Sequence, residues 1–328
     1  VFLKINDLRP QFSLEKCRCI YYYHYKCTRF IRGTNNMDIN YELYKVFYYV
    51  AISLSFSEAS RKLFISQSAV SQSIKVLEKK LNQPLFIRST KKVQLTPEGE
   101  ILLRHIEPAI NLIKRGESQI METASTGGQI RIGASDTICR YFLVPYLERF
   151  HKAFPNAHIK VTNATSIKCT ELLENGQVDL IVANYPNVYL GSLASFRKIR
   201  DFHDVFIANQ SFAELQGKKL SLKELQRYPI IMLDRKSTTS EFLHSLFQQH
   251  QLDLVPEIEL SSNDLLIDLA RIGLGIAFIP DYCVPKNSDQ LFVVQTEEQL
   301  PKRQLVAAWN GHVPVSRATQ AFLDYFNA

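Results

Sequence analysis

From Gln129 to the end of the chain, strand-like and helix-like segments alternate, and this alternation constrains the fold more than any other feature. "QIRIGAS" reads as a strand and "RYFLVPYLERFHKAF" as a helix. "PNAHIKVTNA" is a second strand, "SIKCTELLENG" a helix stopped by Gly176, and "VDLIVAN" a buried strand. A β-α-β-α-β order predicts a mainly parallel sheet with right-handed crossovers. A second set follows in "DVFIAN", "SLKELQRY", "PIIMLD", "TSEFLHSLFQQHQL", "EIELSS", "NDLLIDLARIG" and "GIAFIP". The chain closes on the strand "RQLVAAWN" and the helix "SRATQAFLDYF". The pattern therefore predicts an α/β body of two lobes.

The stretch after Met37 has a different period. Tyr41, Leu43, Tyr44, Phe47, Val50 and Ala51 recur near three-to-four spacing and give one helix an apolar face. "SFSE" (Ser55 to Glu58) fits a capping box that opens a second helix burying Ala59 and Leu63. After a break at Phe64-Ile65, Ser66 caps a third helix with Val70, Ile74, Leu77 and Leu81 inward. Two helices joined by a tight turn, the second opening on "SQSAVSQS", form a helix-turn-helix. Ser is a middling helix former, so the many polar residues in the first turns mark either a capped, solvated surface helix or one whose first turns hydrogen-bond to something outside the protein. Gln pairs bidentately with adenine, and Ser reaches base edges or phosphates. "PLFIRSTKKVQLTPEGE" then reads as two short strands flanking a basic loop.

Charge is split to match. Residues 1–36 carry +5 and residues 37–96 another +5, which leaves 97–328 at −3 within a total of +7. A basic module on a mildly acidic body is the footprint of a nucleic-acid binder with a second domain. Ser66, Gln67, Ser68, Ser71, Gln72 and Lys75 on the third helix are candidate DNA contacts, with Arg88, Lys91 and Lys92 from the hairpin.

These residues resemble the DNA-binding domain of LysR-type transcriptional regulators over 41–99. The pattern appears as Phe47, Ala51, Ser55-Phe56, Ala59, Leu63, "SQSAVSQSI", Leu77-Glu78, Leu85-Phe86, Arg88 and "LTPEG". Ser60 and Asn82 depart from it, where the family usually has Ala and Gly. Asn tolerates the left-handed conformation that a helix end often needs. The resemblance implies that Gln67, Ser68, Ser71, Gln72 and Arg88 touch DNA. It also implies that residues 129–328 form the family's effector-binding domain, similar to type 2 periplasmic binding proteins, with Rossmann-like lobes at 129–198 plus 304–328 and at 199–303. Residues 37–96 are then a winged helix-turn-helix. Residues 97–125 are a long linker helix, kinked at Pro108, whose stripe of Ile101, Leu102, Ile106, Ile110, Leu112, Ile113 and Ile120 pairs two copies into a dimer or tetramer. The competing reading packs that helix on its own body. The joint "STGGQ" follows at Ser125.

Ligands of open α/β sheets sit beyond the carboxyl ends of the strands. That rule selects Ser135, Asp136, Thr137, Thr165, Ser166, Ser237, Thr238 and Gly275 as candidate effector contacts. The competing reading makes Ser135, Asp136, Thr165 and Ser166 helix caps only. Asp136 and Cys139 stand where the related pattern "GASTTIG" has Thr and Gly, and a carboxylate there repels an anion unless turned away or paired.

No catalytic signature is present: there is no G-x-S-x-G, H-E-x-x-H or P-loop, and "GLGIAF" lacks the third Gly of a dinucleotide loop and precedes a strand. The chain is read as no enzyme, with no cofactor and no metal site. Its expected partners are double-stranded DNA, a second copy of itself and a small-molecule effector, with RNA polymerase a further candidate. The six cysteines have no disulfide-framework spacing, and no apolar run is long enough to span a membrane. A cytoplasmic, bacterial regulator is expected, and the rival of a solute-binding protein lacks a signal peptide. Cys139, Cys169 and Cys283 are read as small buried hydrophobes, with redox sensing as the alternative. Within 1–36, Cys17, Cys19, His24 and Cys27 make a poor zinc spacing. Arg32-Gly33 can be encoded as AGG-GGN, like a ribosome-binding sequence three codons before Met37, so 1–36 is expected to be a mistranslated or disordered extension.

Overall fold

A computed structural model describes residues 39–88, 92–121, 128–192, 194–285 and 290–327. The expectations for residues 1–36 fall outside these. The chain divides into two compact units, one ending at Leu103 and the other beginning at Arg104.

The first unit opens with helices α1 (Tyr41–Ser53), α2 (Phe56–Leu63) and α3 (Gln67–Leu81). Each starts on a side-chain cap: Asn40, Ser55 and Ser66 accept the N–H groups of Glu42, Glu58 and Ala69. The core-facing side of α1 is Val46, Phe47, Val50 and Ala51, joined by Ala59, Val70, Ile74 and Leu77, whereas Tyr41 is exposed. The expected capping box closes on one side only, because Glu58 pairs with Lys62 at 2.9 Å. All three helices end on a left-handed residue, Leu54, Phe64 and Asn82. Asn82 therefore does what its side chain permits, while Phe64 holds the tight turn at φ 55° with its ring in solvent.

Strands β1 (Phe86–Arg88) and β2 (Val93–Leu95) pair antiparallel as the expected hairpin. Three contacts fix it. Glu78 accepts the N–H groups of Leu85 and Phe86 at 2.9 and 3.3 Å. Phe86 packs its ring 5.5 Å from that of Phe47, tilted, and 5.9 Å from that of Phe56, edge-on. Thr96 donates to Pro84 O at 2.8 Å and caps helix α4 (Pro97–Met121) by accepting Gly99 N–H at 3.0 Å. Helix α4 runs without interruption through Pro108.

In the second unit the order is β3 (Gln129–Ala134), the short helix α5 (Asp136–Ile138), a π-helical turn, α6 (Val144–Ala153), β4 (His158–Asn163), α7 (Ser166–Glu174), β5 (Leu180–Tyr185) and β6 (Ala194–Phe202). The sequence suggested one helix over 140–154, but Cys139–Leu143 is widened into a π turn. Pro145, at the second position of α6, has no N–H to continue the ladder. Then come β7 (Asp204–Asn209), β8 (Lys219–Leu220), α8 (Leu222–Leu225), β9 (Ile230–Leu233), α9 (Thr238–Gln249), β10 (Ile258–Leu260), α10 (Asn263–Arg271), β11 (Ile276–Pro280), β12 (Leu291–Thr296), β13 (Arg303–Asn310) and α11 (Arg317–Asp324).

Two sheets result, ordered β4-β3-β5-β13-β6 and β10-β9-β11-β7-β12-β8. Both are mixed rather than mainly parallel. Strand β13 runs antiparallel to β5 and β6, and β7 runs antiparallel to β11 and β12, because these strands enter from the other lobe. Strand β6 keeps its pairing to Phe202, past residue 198, and β13 begins at Arg303. Both sheets are covered on both faces. In the first, Ile130, Ile132, Leu180 and Val182 face one core, and Ile181 and Ala183 face another with Cys169. In the second, Phe206, Met232 and Phe278 lie on one side, and Ile207, Ile231 and Ala277 on the other. Continuous apolar runs mark such doubly buried strands.

Candidate functional site

Helix α3 presents a polar surface and buries an apolar one. Gln67, Ser68, Gln72 and Lys75 are exposed and Ser71 half-buried, while Val70, Ile74 and Leu77 are buried. Ser66 has two tasks at the helix start: it caps Ala69 N–H and shares a hydrogen bond of 2.8 Å with Ser68. Arg88 ends β1 opposite Val93, Lys92 is exposed, and Lys91 lies outside the described residues. Side-chain donors and acceptors therefore cover the first turns of α3, with the cations Lys75 and Lys92 also on the surface of this unit.

The second site is a cavity of about 230 Å³ between the lobes of the second unit. Ser135, Asp136, Thr137, Thr165, Ser166, Ser237 and Thr238 all line it. Gly275 does not. It precedes β11, whereas the cavity lies at that strand's other end, beside Pro280 and Tyr282. A side chain at 275 would meet Pro229 O at 2.5 Å, so this glycine serves a close backbone approach.

Capping holds for Ser135 and Thr165, whereas Asp136 and Ser166 are the first residues of their helices. Ser135, Thr165, Ser237 and Ser262 cap α5, α7, α9 and α10, and all four line the cavity. Sequence reasoning missed Asn163, Asn184, Asp234, Ser261, Ser262, Asn263 and Tyr282. The same strand-end rule reaches several of them: Asn184 is the penultimate residue of β5, Asp234 follows β9, and Ser261 follows β10. Two of them tie the lobes together. Asn184 donates to Thr238 Oγ1 at 3.3 Å, and Asn263 donates to Thr137 Oγ1 at 2.9 Å. Their Oδ1 atoms, and Tyr282 Oη, are buried without a hydrogen-bond partner. Unpartnered buried polar atoms are rare, and here they line a cavity.

The lining is acidic. Asp136 accepts a hydrogen bond from Asn163 at 3.2 Å, and Asp234 accepts Lys236 N–H at 3.0 Å. Among the described lining residues there is no Lys, Arg or His. Behind the wall, Arg303 is buried and donates to Asp204 at 2.7 Å, Thr239 at 3.1 Å and Thr238 at 3.3 Å. Its guanidinium lies over the rings of Phe202 and Phe242. Burial raises the Asp204 carboxyl above its ordinary range, and Arg303 pulls it back in part.

Among the described residues, burial keeps the three thiols protonated. Burial, with Asp136 adding to it, pushes Cys139 up to about 11, and burial pushes Cys169 up to about 12. Cys283 is raised further by the same cause. Reactive cysteines need the opposite shift. Among the described residues no group of His, Cys, Asp or Glu is arranged to hold a metal ion, and no helix is long and apolar enough to cross a membrane.

A hairpin-backed helix-turn-helix in one unit and a two-lobed cleft with unpartnered polar atoms in the other define a ligand-responsive DNA-binding regulator. Comparison with known proteins gives the family. Residues 41–100 match the family described as "Bacterial regulatory helix-turn-helix protein, lysR family", and residues 123–328 match "LysR substrate binding domain". The chain belongs to the LysR family of transcriptional regulators, which are not enzymes. It is 29% identical over 277 residues to a probable RuBisCO transcriptional regulator of Gracilaria tenuistipitata var. liui, covering 82% of this chain and 89% of the relative. Its fold is similar to that of full-length CbnR complexed with its target DNA, with TM-score 0.62 and 16% identity over 88% of this chain and 99% of that one. It is also similar to the Synechocystis PCC6803 CcmR regulatory domain in complex with 2-PG, with TM-score 0.56 and 22% identity over 61% of this chain and 95% of that one.

Proposed function

We propose that residues 37–96 grip operator DNA through α3, with Gln67, Ser68, Ser71 and Gln72 reading base edges. Ser66, Lys75, Arg88, Lys91 and Lys92 hold the sugar-phosphate backbone. The observation that carries this reading is the placement of exposed Gln67, Ser68 and Gln72 in the first turns of a helix whose apolar residues are buried. Residues 97–125 pair two copies into a dimer or tetramer. In support, Ile101, Leu112, Ile113 and Ile120 of α4 remain exposed, whereas Ile110 is buried at 2% exposure. The exposed residues favour pairing, and the buried Ile110 of the same stripe favours packing on the helix's own body. Two recognition helices then stand about one DNA turn, ~34 Å, apart. The regulator acts in the cytoplasm, with RNA polymerase as a further contact at the promoter.

Residues 129–328 hold the effector at Ser135, Asp136, Thr137, Thr165, Ser166, Ser237 and Thr238, and its binding shifts the balance between arrangements that hold DNA differently. Asp136, Asp234 and two unpartnered Asn oxygens favour an effector that presents hydrogen-bond donors, such as an amine. A thermal-shift screen of the full chain tests this. Amine-bearing small molecules outperform simple acids, and Asp234→Asn weakens the tightest amine about ten-fold. An acid that binds tightest, and binds Asp234→Asn no better, sinks the assignment.

The decisive experiment is a titration of the protein against the DNA upstream of its own gene, at two salt concentrations, with random DNA as control. Selective binding that weakens steeply with salt supports the regulator. Gln67→Ala loses about 1–3 kcal/mol of base discrimination, while Lys91→Ala weakens all sequences similarly and lowers the salt slope by about one. Equal losses for both variants on operator and random DNA refute the roles given to these residues.

A further inference from the structure

Tyr282 stands in the short turn after β11, between the effector cleft and the place where the chain passes from one lobe to the other. It lines the cavity, and its hydroxyl is buried without a hydrogen-bond partner. Its ring packs edge-on against Phe202 at 5.3 Å, and the Arg200 guanidinium lies 5.1 Å from the ring centre. Phe202 in turn lies under the guanidinium of Arg303. The turn is stapled to the crossing itself. Strand β6 ends at Phe202 and β7 begins at Asp204. Asp281 donates its N–H to the intervening His203 O at 2.8 Å, and its carboxylate accepts His203 N–H at 3.1 Å. Tyr282 also packs against the buried cores of both lobes.

A phenylalanine would fill the same space without burying a hydroxyl that gains no hydrogen bond in return. Three unpartnered buried atoms belong to described lining residues of the cavity. The two Asn oxygens only accept, and the Tyr282 hydroxyl is the one that can donate. Burial raises the phenol pKa well above its ordinary value, so the proton stays in place at neutral pH. We propose that Tyr282 donates a hydrogen bond to an oxygen of the effector and carries its occupancy to the joint through Phe202 and His203. This rests on the amine-binding reading of the cleft and adds the effector's second feature: an amine that also bears an acceptor oxygen, such as a carbonyl. Asp136 and Asp234 take the amine, and Tyr282 takes the oxygen. A molecule held by both ends draws on the turn after β11. That turn is fastened to His203, so the pull arrives where the lobes hinge and shifts the balance between their arrangements.

Two probes of the same shape, β-alaninamide and isopentylamine, differ in whether they carry the acceptor. Calorimetry on the full chain reads their binding, and a gel shift reads affinity for the DNA upstream of its own gene with and without saturating probe. The wild type is expected to bind β-alaninamide about ten-fold tighter than isopentylamine, and Tyr282→Phe to bind the two alike. Saturating β-alaninamide changes the wild type's affinity for that DNA by about five-fold or more, and leaves that of Tyr282→Phe where it was. Without probe, Tyr282→Phe melts no lower than the wild type, which separates a lost contact from a damaged fold. A lower melting point would give the hydroxyl a partner within the protein and overturn the proposal. Equal binding of the two probes by the wild type, or a preference that Tyr282→Phe keeps, overturns the contact and leaves the amine reading standing. A change in DNA affinity that the wild type lacks, or that saturated Tyr282→Phe retains, overturns the relay. If neither probe binds the wild type, the amine reading fails and the proposal falls with it.

Discussion

Replacing Gly99 by Ala melts the DNA-binding unit early and abolishes binding to operator and random DNA alike. A Cβ at this position would stand 2.2 Å from Leu85 O and 3.0 Å from a Leu95 methyl. The carbonyl cannot step aside, because it accepts Thr96 N–H at 3.0 Å. Thr96 in turn caps α4 through Gly99 N–H and holds Pro84 O. Relief therefore has to move the hairpin off the helices, and with it Phe86 from between Phe47 and Phe56. Overpacking of this kind costs about 1–3 kcal/mol, and backbone contact places it at the upper end. A unit of this size holds only several kcal/mol in all. Circular dichroism during heating, alongside a gel shift, checks the result. A variant that melts with the wild type and keeps its DNA affinity would show that the hairpin yields.

The second large effect lies at the buried pair. Arg303→Met strips Asp204 of its charge partner while both positions stay buried, at 1% and 0% exposure. Breaking a buried pair from one side costs about 3–5 kcal/mol. The pH dependence has a definite sign. The folded-state pKa of Asp204 is already raised by burial, and the loss of Arg303 removes what pulls it back. A carboxyl with a raised folded pKa gives its full stability below its unfolded value of about 3.9 and loses it as pH climbs through the folded value. The variant therefore loses stability relative to wild type as pH rises from about 4 toward neutrality. Urea unfolding at a series of pH values measures it, and Asp204→Asn in the same background restores most of the loss at neutral pH. A pH-independent difference would assign the loss to packing against Phe202 and Phe242 instead.

How much of this was legible in the sequence depended on how local the cause was. The helix-turn-helix was readable because caps, period and turn lie within a few residues of one another. Two of the S-x-x-E stretches show the limit. Ser221 and Glu224 close a full capping box, whereas at Ser55 the same spacing does not, because Lys62 competes for Glu58. Seven of the cleft's lining residues followed from one rule about strand ends, which also reaches Asn184 and Ser261. The rule failed at Gly275 because "GLG" precedes its strand instead of following one. Strand β6 was missed because its buried residues are sparse and charged residues intervene, as suits a strand at the edge of its sheet. The pairing of Asp204 with Arg303, ninety-nine residues apart, has no local signature at all.

That pair also occupies a special place along the chain. Phe202 ends β6 in the first lobe's sheet and Asp204 begins β7 in the second's, with His203 alone between them. Arg303 is the first residue after the chain has returned. The two lobes are thus joined by two strands running side by side, fastened to each other where they pass. A joint of that form bends like the spine of a book: it opens and closes about one line but resists sliding and twisting. On the function proposed above, an effector held between the covers reports its presence as an angle. Any partner that reads this regulator's state should read the spread of the lobes, and a crosslink from one outer edge to the other should mimic the effector without occupying its cavity.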